Sequence, residues 1–327
     1  MSKSQINQQA IADKLSISRS TVTRVLRHDP VHRISPETRE LILQTAREMG
    51  YQLRRRRTGN IAFVVCGEMA SRQIELHMAV CDEAAKSDCR VFFVHLPEFP
   101  SYKQISLHVN PITADGAMLI GKYNPELAQK LAAVMPVVIL DDDYKLTDVD
   151  QIIVDYVALG RLLTEELIRT GHQRIAVIAQ FPEDVTWRGP LEGYRQAIEA
   201  AGGEASLSMV RPKSGRLYPE LLNEILNISP KPTGILALTT SDHAIILSTL
   251  MAMGVDVPGD VSYVGWAYSY VSALLPFPAI TCLDDIYQSM ARAAVGRLFA
   301  RAEDGAIPAE TITVPVSIRS GETCIKR

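Results

Sequence analysis

Two hydrophobic rhythms follow one another along the chain. In "SISRSTVTRVLRHD", Ser16 to Asp29, Val22, Val25 and Leu26 recur at helical spacing and share one face, while Arg19, Ser20, Thr23, Arg24 and Arg27 lie elsewhere around the cylinder. Asn7 is a cap for a first helix running to about Leu15, "SIS" makes a turn, and Ser18 caps a second helix to about Arg27. A third helix starts at "SPETRE", with Ser35 as N-cap, Pro36 at the first position and Glu37 in the favourable first turn, and ends at Gly50. The spacing predicts a helix-turn-helix with a supporting helix.

From Ile61 the rhythm changes to short, nearly continuous apolar runs rich in β-formers: "IAFVVC", "VFFVHL", "GAMLIG", "VVILD", "QIIVD", "RIAVIA", "GILALT" and "VSYVGW". Most are separated by amphipathic stretches such as residues 74–86, 157–169 and 191–200. Apolar strands alternating with helices predict α/β lobes whose parallel sheets are covered on both faces. Between "VVILD" and "QIIVD" no helix fits, which places a passage between two lobes near Asp155. The late segments "AITCL" and "TITVPVSI" read as return crossings, giving a two-lobed body with a cleft between the lobes. The expected domains are a head at 1–51, a short basic linker at 52–60 and a core at 61–327. The core divides into a first lobe at about 61–154 and 284–310 and a second at about 155–283 and 311–327.

Charge sharpens this division. The 327 residues carry a net charge of -3, but the first sixty hold two Lys and ten Arg against five acidic residues, a net +7, which leaves -10 for the rest. A basic head on an acidic body suits a polyanion, although a solvated basic surface would have the same composition. No apolar run approaches the roughly 18 residues a membrane span needs, and the polar N-terminus lacks the apolar region of a secretory signal, so a cytoplasmic protein is expected. The five cysteines show no CxxC spacing and read as reduced core residues.

Catalytic patterns are weak. "GAMLIGKY" nearly spells a phosphate-binding loop, but Tyr123 replaces the magnesium-binding hydroxyl and "AMLI" reads as a buried strand. "DDD", Asp141 to Asp143, sits at a strand end without a histidine or a spaced fourth ligand and reads as a solvated turn. No metal-type histidine spacing and no GxSxG are found, so no metal, cofactor or enzyme activity is expected. The run Arg54, Arg55, Arg56 and Arg57 falls where a linker belongs; beside a groove-reading helix it suits backbone or minor-groove contact.

Taken together, "IADKLSISRSTVTRVLRHD" and "RISPETRELILQTAREMGY" resemble, nearly position by position, the DNA-binding head of the LacI/GalR family of bacterial transcriptional regulators. That family's pattern runs VAxxAGVSxxTVSRVLN and VSxxTRxxVxxAxxxLGY. "VDYVALGRLLTEELIRTGHQRIAVIA", "LEGYRQAIEAAG" and "VPGDVSYVGW" look like its periplasmic-binding-protein-like core. The resemblance implies a homodimer on a pseudo-palindromic operator, with the second helix in the major groove. It implies base contacts from Arg19, Ser20 and Arg24, and backbone contacts from Asn7, Ser18, Thr21, Thr23 and Arg54 to Arg57.

Two departures stand out. The family has about sixteen residues between its "GY" and the first core strand, including a hinge helix whose leucine wedges into the minor groove; here only Gln52 to Asn60 remain, with Leu53 as the one leucine. In the effector cleft, Pro190 stands at the family's arginine position with Arg188 two residues earlier, Thr239 and Thr240 replace an Asn-Asp pair with Asp242 nearby, and in "GWAY" Ala267 cannot pair sugar hydroxyls as a carboxylate would. Ala70, Ser71, Asp155, Arg188, Thr239, Asp242, Trp266 and Tyr268 are the expected cleft-lining residues, with Trp266 equally readable as core. The expected function is a repressor whose operator affinity is set by a small-molecule effector, a sugar or related metabolite. A ligand-independent DNA-binding protein and an enzyme with an appended head are the alternatives.

Overall fold

The structure, a computed structural model, describes residues 8–26, 34–49, 58–69, 71–179, 185–203, 209–210, 218–239, 242–266, 280–283 and 286–327. Helices α1 (Gln8–Leu15), α2 (Arg19–Leu26) and α3 (Pro36–Glu48) form the head. Their apolar faces meet in a core of their own, made of Ile11, Ala12, Val22, Val25, Leu26, Ile42 and Ala46, flanked by Leu15, Ile17, Ile34, Leu43 and Met49. Two of the three expected caps are seen to form: the Ser18 hydroxyl accepts from the Thr21 N–H at 3.0 Å and the Ser35 hydroxyl from the Thr38 N–H at 3.1 Å.

After the head come β1 (Asn60–Cys66), α4 (Ser71–Ala85), β2 (Arg90–Leu96), α5 (Tyr102–Ser106), β3 (Gly116–Gly121), α6 (Pro125–Ala132), β4 (Val137–Leu140) and β5 (Asp150–Val154). Then follow α7 (Tyr156–Arg169), β6 (Ile175–Ala179), α8 (Val185–Ala200), β7 (Met209–Val210), α9 (Tyr218–Leu226), β8 (Gly234–Leu238), α10 (His243–Ala252), β9 (Ser262–Gly265) and β10 (Thr281–Leu283). The chain ends with α11 (Ile286–Glu303), β11 (Thr311–Val314) and β12 (Ile318–Arg319).

Among the described residues two sheets form, in the orders β2-β1-β3-β4-β5-β11 and β7-β6-β8-β9-β10-β12. In the first, β1 is parallel to both β2 and β3, and β3 to β4. In the second, β6 is parallel to β7 and β8, β8 to β9 and β9 to β10, while β12 closes the edge antiparallel to β10. Strands β1, β3, β6, β8 and β9 are almost wholly buried, as their unbroken apolar sequences require. In each sheet the strand order reverses at one point, β1/β3 and β6/β8, and in such sheets ligands bind at the carboxyl ends beside that reversal.

The chain divides into two compact units. Unit 1 comprises Met1–Met69, Val80–Gln151 and Arg292–Thr311; unit 2 comprises Ala70–Ala79, Ile152–Ala291 and Ile312–Arg327. These bounds differ from the sequence boundaries at 154/155, 283/284 and 310/311, and residues 70–79 fall in unit 2. Apart from the division at Met69/Ala70, which precedes α4, the divisions lie inside α4, β5, α11 and β11, where continuous hydrogen bonding hides them from any reading of composition. Among the described residues no helix is long and apolar enough to cross a membrane.

Candidate functional site

In the head, α2 buries Val22, Val25 and Leu26 and leaves Arg19 and Ser20 exposed, with Arg24 in its last turn partly exposed. The hydroxyls of this helix are engaged locally. Ser18 Oγ, besides capping, lies 2.7 Å from Thr21 Oγ1 and 2.8 Å from Ser20 Oγ. Thr23 Oγ1 donates to Gln8 Oε1 at 2.7 Å and approaches the Arg19 carbonyl at 2.9 Å, so it ties α2 to α1. The two arginines therefore carry the outward chemistry of α2, fixed by a turn in which Ser16 takes the left-handed conformation, φ 53°. Glu37, at the start of α3, has its carboxyl held below the usual range by its own backbone N–H and by the Ser35 hydroxyl. Asn7 and Arg54 to Arg57 lie outside the described residues.

In unit 2, side chains converge at the carboxyl ends of β8 and β9. Thr239 follows β8, is fully buried, and its hydroxyl has no hydrogen-bond partner among the described residues. Trp266 follows β9, is 1% exposed, and packs on Tyr156 with ring centroids 5.4 Å apart. Its indole is therefore a wall of the core. His243, the first residue of α10, joins the two strand ends: Nε2 donates to the Trp266 carbonyl at 2.8 Å and Nδ1 accepts from the Tyr263 hydroxyl at 2.6 Å. Burial pushes its pKa down, opposed by backbone bonds at Trp266 and Thr239 and by the Asp242 charge, so the imidazole is neutral.

Asp242 precedes α10, and its carboxylate accepts from the Tyr218 hydroxyl instead of capping the helix. Asp155 caps α7, accepting from the Ala158 N–H at 2.9 Å. Arg188 is exposed on α8, next to Gly189, whose Cα position lies against Tyr156. Asp155, Arg188, Thr239, Asp242 and Trp266 thus sit on elements joined through Tyr156 and His243. Ala70 and Tyr268 lie outside the described residues, as does the side chain of Ser71.

Sequence reasoning passed over His243, Tyr156, Tyr218 and Tyr263. It also passed over a cavity of about 490 Å³ in unit 1, lined by Phe99, Gly121, Lys122, Tyr123, Asn124, Pro125, Asp142 and Tyr144. Tyr123 is buried, its hydroxyl has no hydrogen-bond partner among the described residues, and it stacks at a tilt on Tyr144, 5.4 Å between centroids. Lys122 reaches Glu98 at 2.8 Å. Phe99, Asp141 and Lys145, at or beside this rim, all take positive φ, a concentration of strain of the kind held at binding sites. The cavity joins the ends of the two motifs set aside above, "GAMLIGKY" and "DDD".

A helix-turn-helix head followed by two parallel-sheet units is the architecture of a DNA-binding region joined to a periplasmic-binding-protein-like core. Comparison with known proteins agrees. Residues 9–53 match the model of bacterial regulatory proteins of the lacI family, and residues 164–324 that of the periplasmic binding protein-like domain. The chain is 28% identical over 285 residues to the transcriptional regulator CelR of Thermobifida fusca, covering 80% of this chain and 82% of that protein. It is 26% identical over 315 residues to the transcriptional repressor PurR of Pasteurella multocida, covering 89% and 90%. Its fold superposes on a CelR–cellobiose complex with a TM-score of 0.63, 23% identity and 97% and 99% coverage. The lac repressor dimer bound to operator and an anti-inducer gives 0.63, 19%, and 98% and 99%. The chain carries a LacI-family DNA-binding region on a periplasmic-binding-protein-like core, and its homologues are LacI-family transcriptional regulators, which as a family are not enzymes.

Proposed function

We propose that this chain is a homodimeric repressor that reads a two-fold symmetric operator through α2 and whose operator affinity is set by a small metabolite. The observation that carries the reading is the pair Arg19 and Arg24 on a helix whose apolar face is spent on the head core, whose Ser18 hydroxyl caps its first turn and whose Thr23 hydroxyl ties it to α1. Arginine gives guanine a bidentate contact worth about 1 to 3 kcal/mol of discrimination. Arg19, Ser20 and Arg24 read base edges, while Ser18, Thr21, Thr23, Asn7 and Arg54 to Arg57 belong to the phosphate backbone.

Dimerisation is supported by α10, which exposes the large apolar side chains Ile245 and Met251, with Met253 just beyond it. Exposed apolar side chains grouped in this way mark a surface for another chain to cover. The effector is read as a sugar or related metabolite at the carboxyl ends of β8 and β9, where the Thr239 hydroxyl, Asp242 and Arg188 offer polar partners. Ala70, Ser71, Asp155, Trp266 and Tyr268 complete the proposed set. A ligand acts by preferring one of two conformations, and shifts operator affinity by its differential affinity for them.

The test is selection of bound sites from randomised duplexes by the purified chain, followed by titration of the winner against random DNA. A symmetric site bound far more tightly than random DNA is the expected result. Arg24→Ala should erase that preference while retaining salt-sensitive binding. Equal losses on both DNAs would sink the base-reading role. A metabolite panel read by thermal shift then tests effector control, since a ligand selective for the folded chain raises the melting temperature.

A further inference from the structure

The short basic linker ends in a clamp. The Asp115 carboxylate accepts from two consecutive backbone donors, the Thr58 N–H at 2.7 Å through Oδ1 and the Gly59 N–H at 2.9 Å through Oδ2. Gly59 takes φ +70°, the left-handed conformation that turns successive N–H groups toward one anion. The Thr58 hydroxyl accepts from the Asn60 N–H at 3.1 Å, and the Asn60 side-chain amide donates to the Thr113 carbonyl at 3.2 Å. Beyond this point the chain is locked: the Gly59 carbonyl accepts from the Arg90 N–H and the Asn60 carbonyl from the Asp115 N–H, each at 2.8 Å, and β1 enters the first sheet between β2 and β3.

We infer that Asp115 is a positioning residue for DNA recognition, fixing the point at which each head is tethered to the core and thereby the half-site spacing that a dimer accepts. This rests on the two-headed operator reading above. From Tyr51 to the clamp at Thr58 the chain has seven steps, which span at most about 25 Å. Releasing Thr58 frees one step before Gly59, whose carbonyl stays bonded to the Arg90 N–H, which gives about 3.5 Å of reach in each linker and about 7 Å over the two linkers of a dimer. Two base pairs inserted between half-sites displace them along the axis by about the same distance and rotate them by about 70°. The two carboxylate bonds are thus the difference between a tether that rejects such an insertion and one that follows it.

The experiment titrates the full-length chain on its selected operator, on operators lengthened or shortened by one to three base pairs between half-sites, and on a single half-site. The wild type should lose about 100-fold in affinity for the operator with two extra base pairs. Asp115→Ala should lose about tenfold or less on that insertion, with unchanged affinity for the single half-site, because loosening the tether lowers the effective concentration of the second head without touching its contacts. Asp115→Asn, which sets an amide nitrogen against one of the two donors, should relax the spacing in the same direction and serves if the alanine variant does not fold. A folded variant whose spacing profile overlays that of the wild type overturns the proposal. A wild type with no preferred spacing would overturn the two-headed reading first, and this inference with it.

Discussion

Helices α7 and α8 cross at backbone contact, and the crossing sets where Arg188 and Tyr156 stand. A Cβ added at Gly160 would lie 2.0 Å from the Pro190 carbonyl oxygen, and one at Gly193 would lie 2.0 Å from the Val157 carbonyl oxygen. Ordinary contact begins near 3.4 Å, so Gly160→Ala must drive the helices apart by about 1.4 Å. Neither neighbour is a flexible side-chain tip, so the strain spreads to Leu159, Leu163, Leu167, Leu191 and Tyr194, all buried along the two helices. Overpacking of this kind costs about 3 kcal/mol. For a unit of this size that lowers the melting temperature by about 6 to 12 °C. The same substitution at Gly296, in the exposed middle of α11 with nothing within 4 Å of the added carbon, should do the opposite, since alanine favours a helix over glycine by about 1 kcal/mol. Calorimetry of both variants beside the parent is the assay. A Gly160→Ala transition within about 1 °C of the parent would refute the backbone-contact argument.

Ser16→Gly should stabilise the head by about 0.5 kcal/mol, because the left-handed turn strains serine by more than glycine's extra freedom costs the unfolded chain; chemical denaturation followed through the head's helical signal checks the sign. His243 and His172 are both held neutral by burial, with pKa values below the usual 6.5. Their contribution is therefore full above 6.5 and is lost as the pH falls below it, when the unfolded chain takes up protons that the folded chain refuses. Melting between pH 8 and 5.5 should show that fall, and His243→Gln should flatten it. Asp150 is buried with Arg297 at 2.8 Å and Arg301 at 3.5 Å. Arg297→Met should cost about 3 kcal/mol in urea unfolding by leaving the carboxylate poorly compensated, and adding Asp150→Asn should recover part of the loss; a double variant no better than the single one would contradict this.

The head was legible in sequence because everything that shapes it is local: apolar spacing, Ser18 and Ser35 at caps, Pro36 at a first turn. Its one local irregularity, Ser16 in a left-handed turn, stands where the resembled family pattern has glycine, so even the strain could be read by comparing one position. The core was legible as strands because buried parallel strands are apolar throughout, but its helices were read less well. The start of α8 at Val185 was missed because Pro190 looks like a first-turn residue, whereas it sits inside the helix. Helix α10 has apolar residues on every side and so gives no periodic signal.

The ligand site was hidden for a different reason: its residues are joined by register, which sequence spacing does not encode. Pairing Leu236 of β8 with Val264 of β9 brings the ends of both strands level, so that a histidine starting the next helix can bond the carbonyl of Trp266, twenty-three residues on. Pairing Leu119 of β3 with Ile139 of β4 likewise carries Lys122, Tyr123 and Asp142 to one rim. Each of "GAMLIGKY" and "DDD" was read as a motif by itself, and such a reading stops at the end of one strand. What it cannot weigh is that a strand end and its parallel neighbour's end form a single surface. The Asp115 clamp follows the same logic, since β3 begins where β1 begins, and the residue just before one strand is placed to hold the linker entering the other. Where side chains act on their own helix the sequence declares them; where they act across a sheet, the pairing has to be known first.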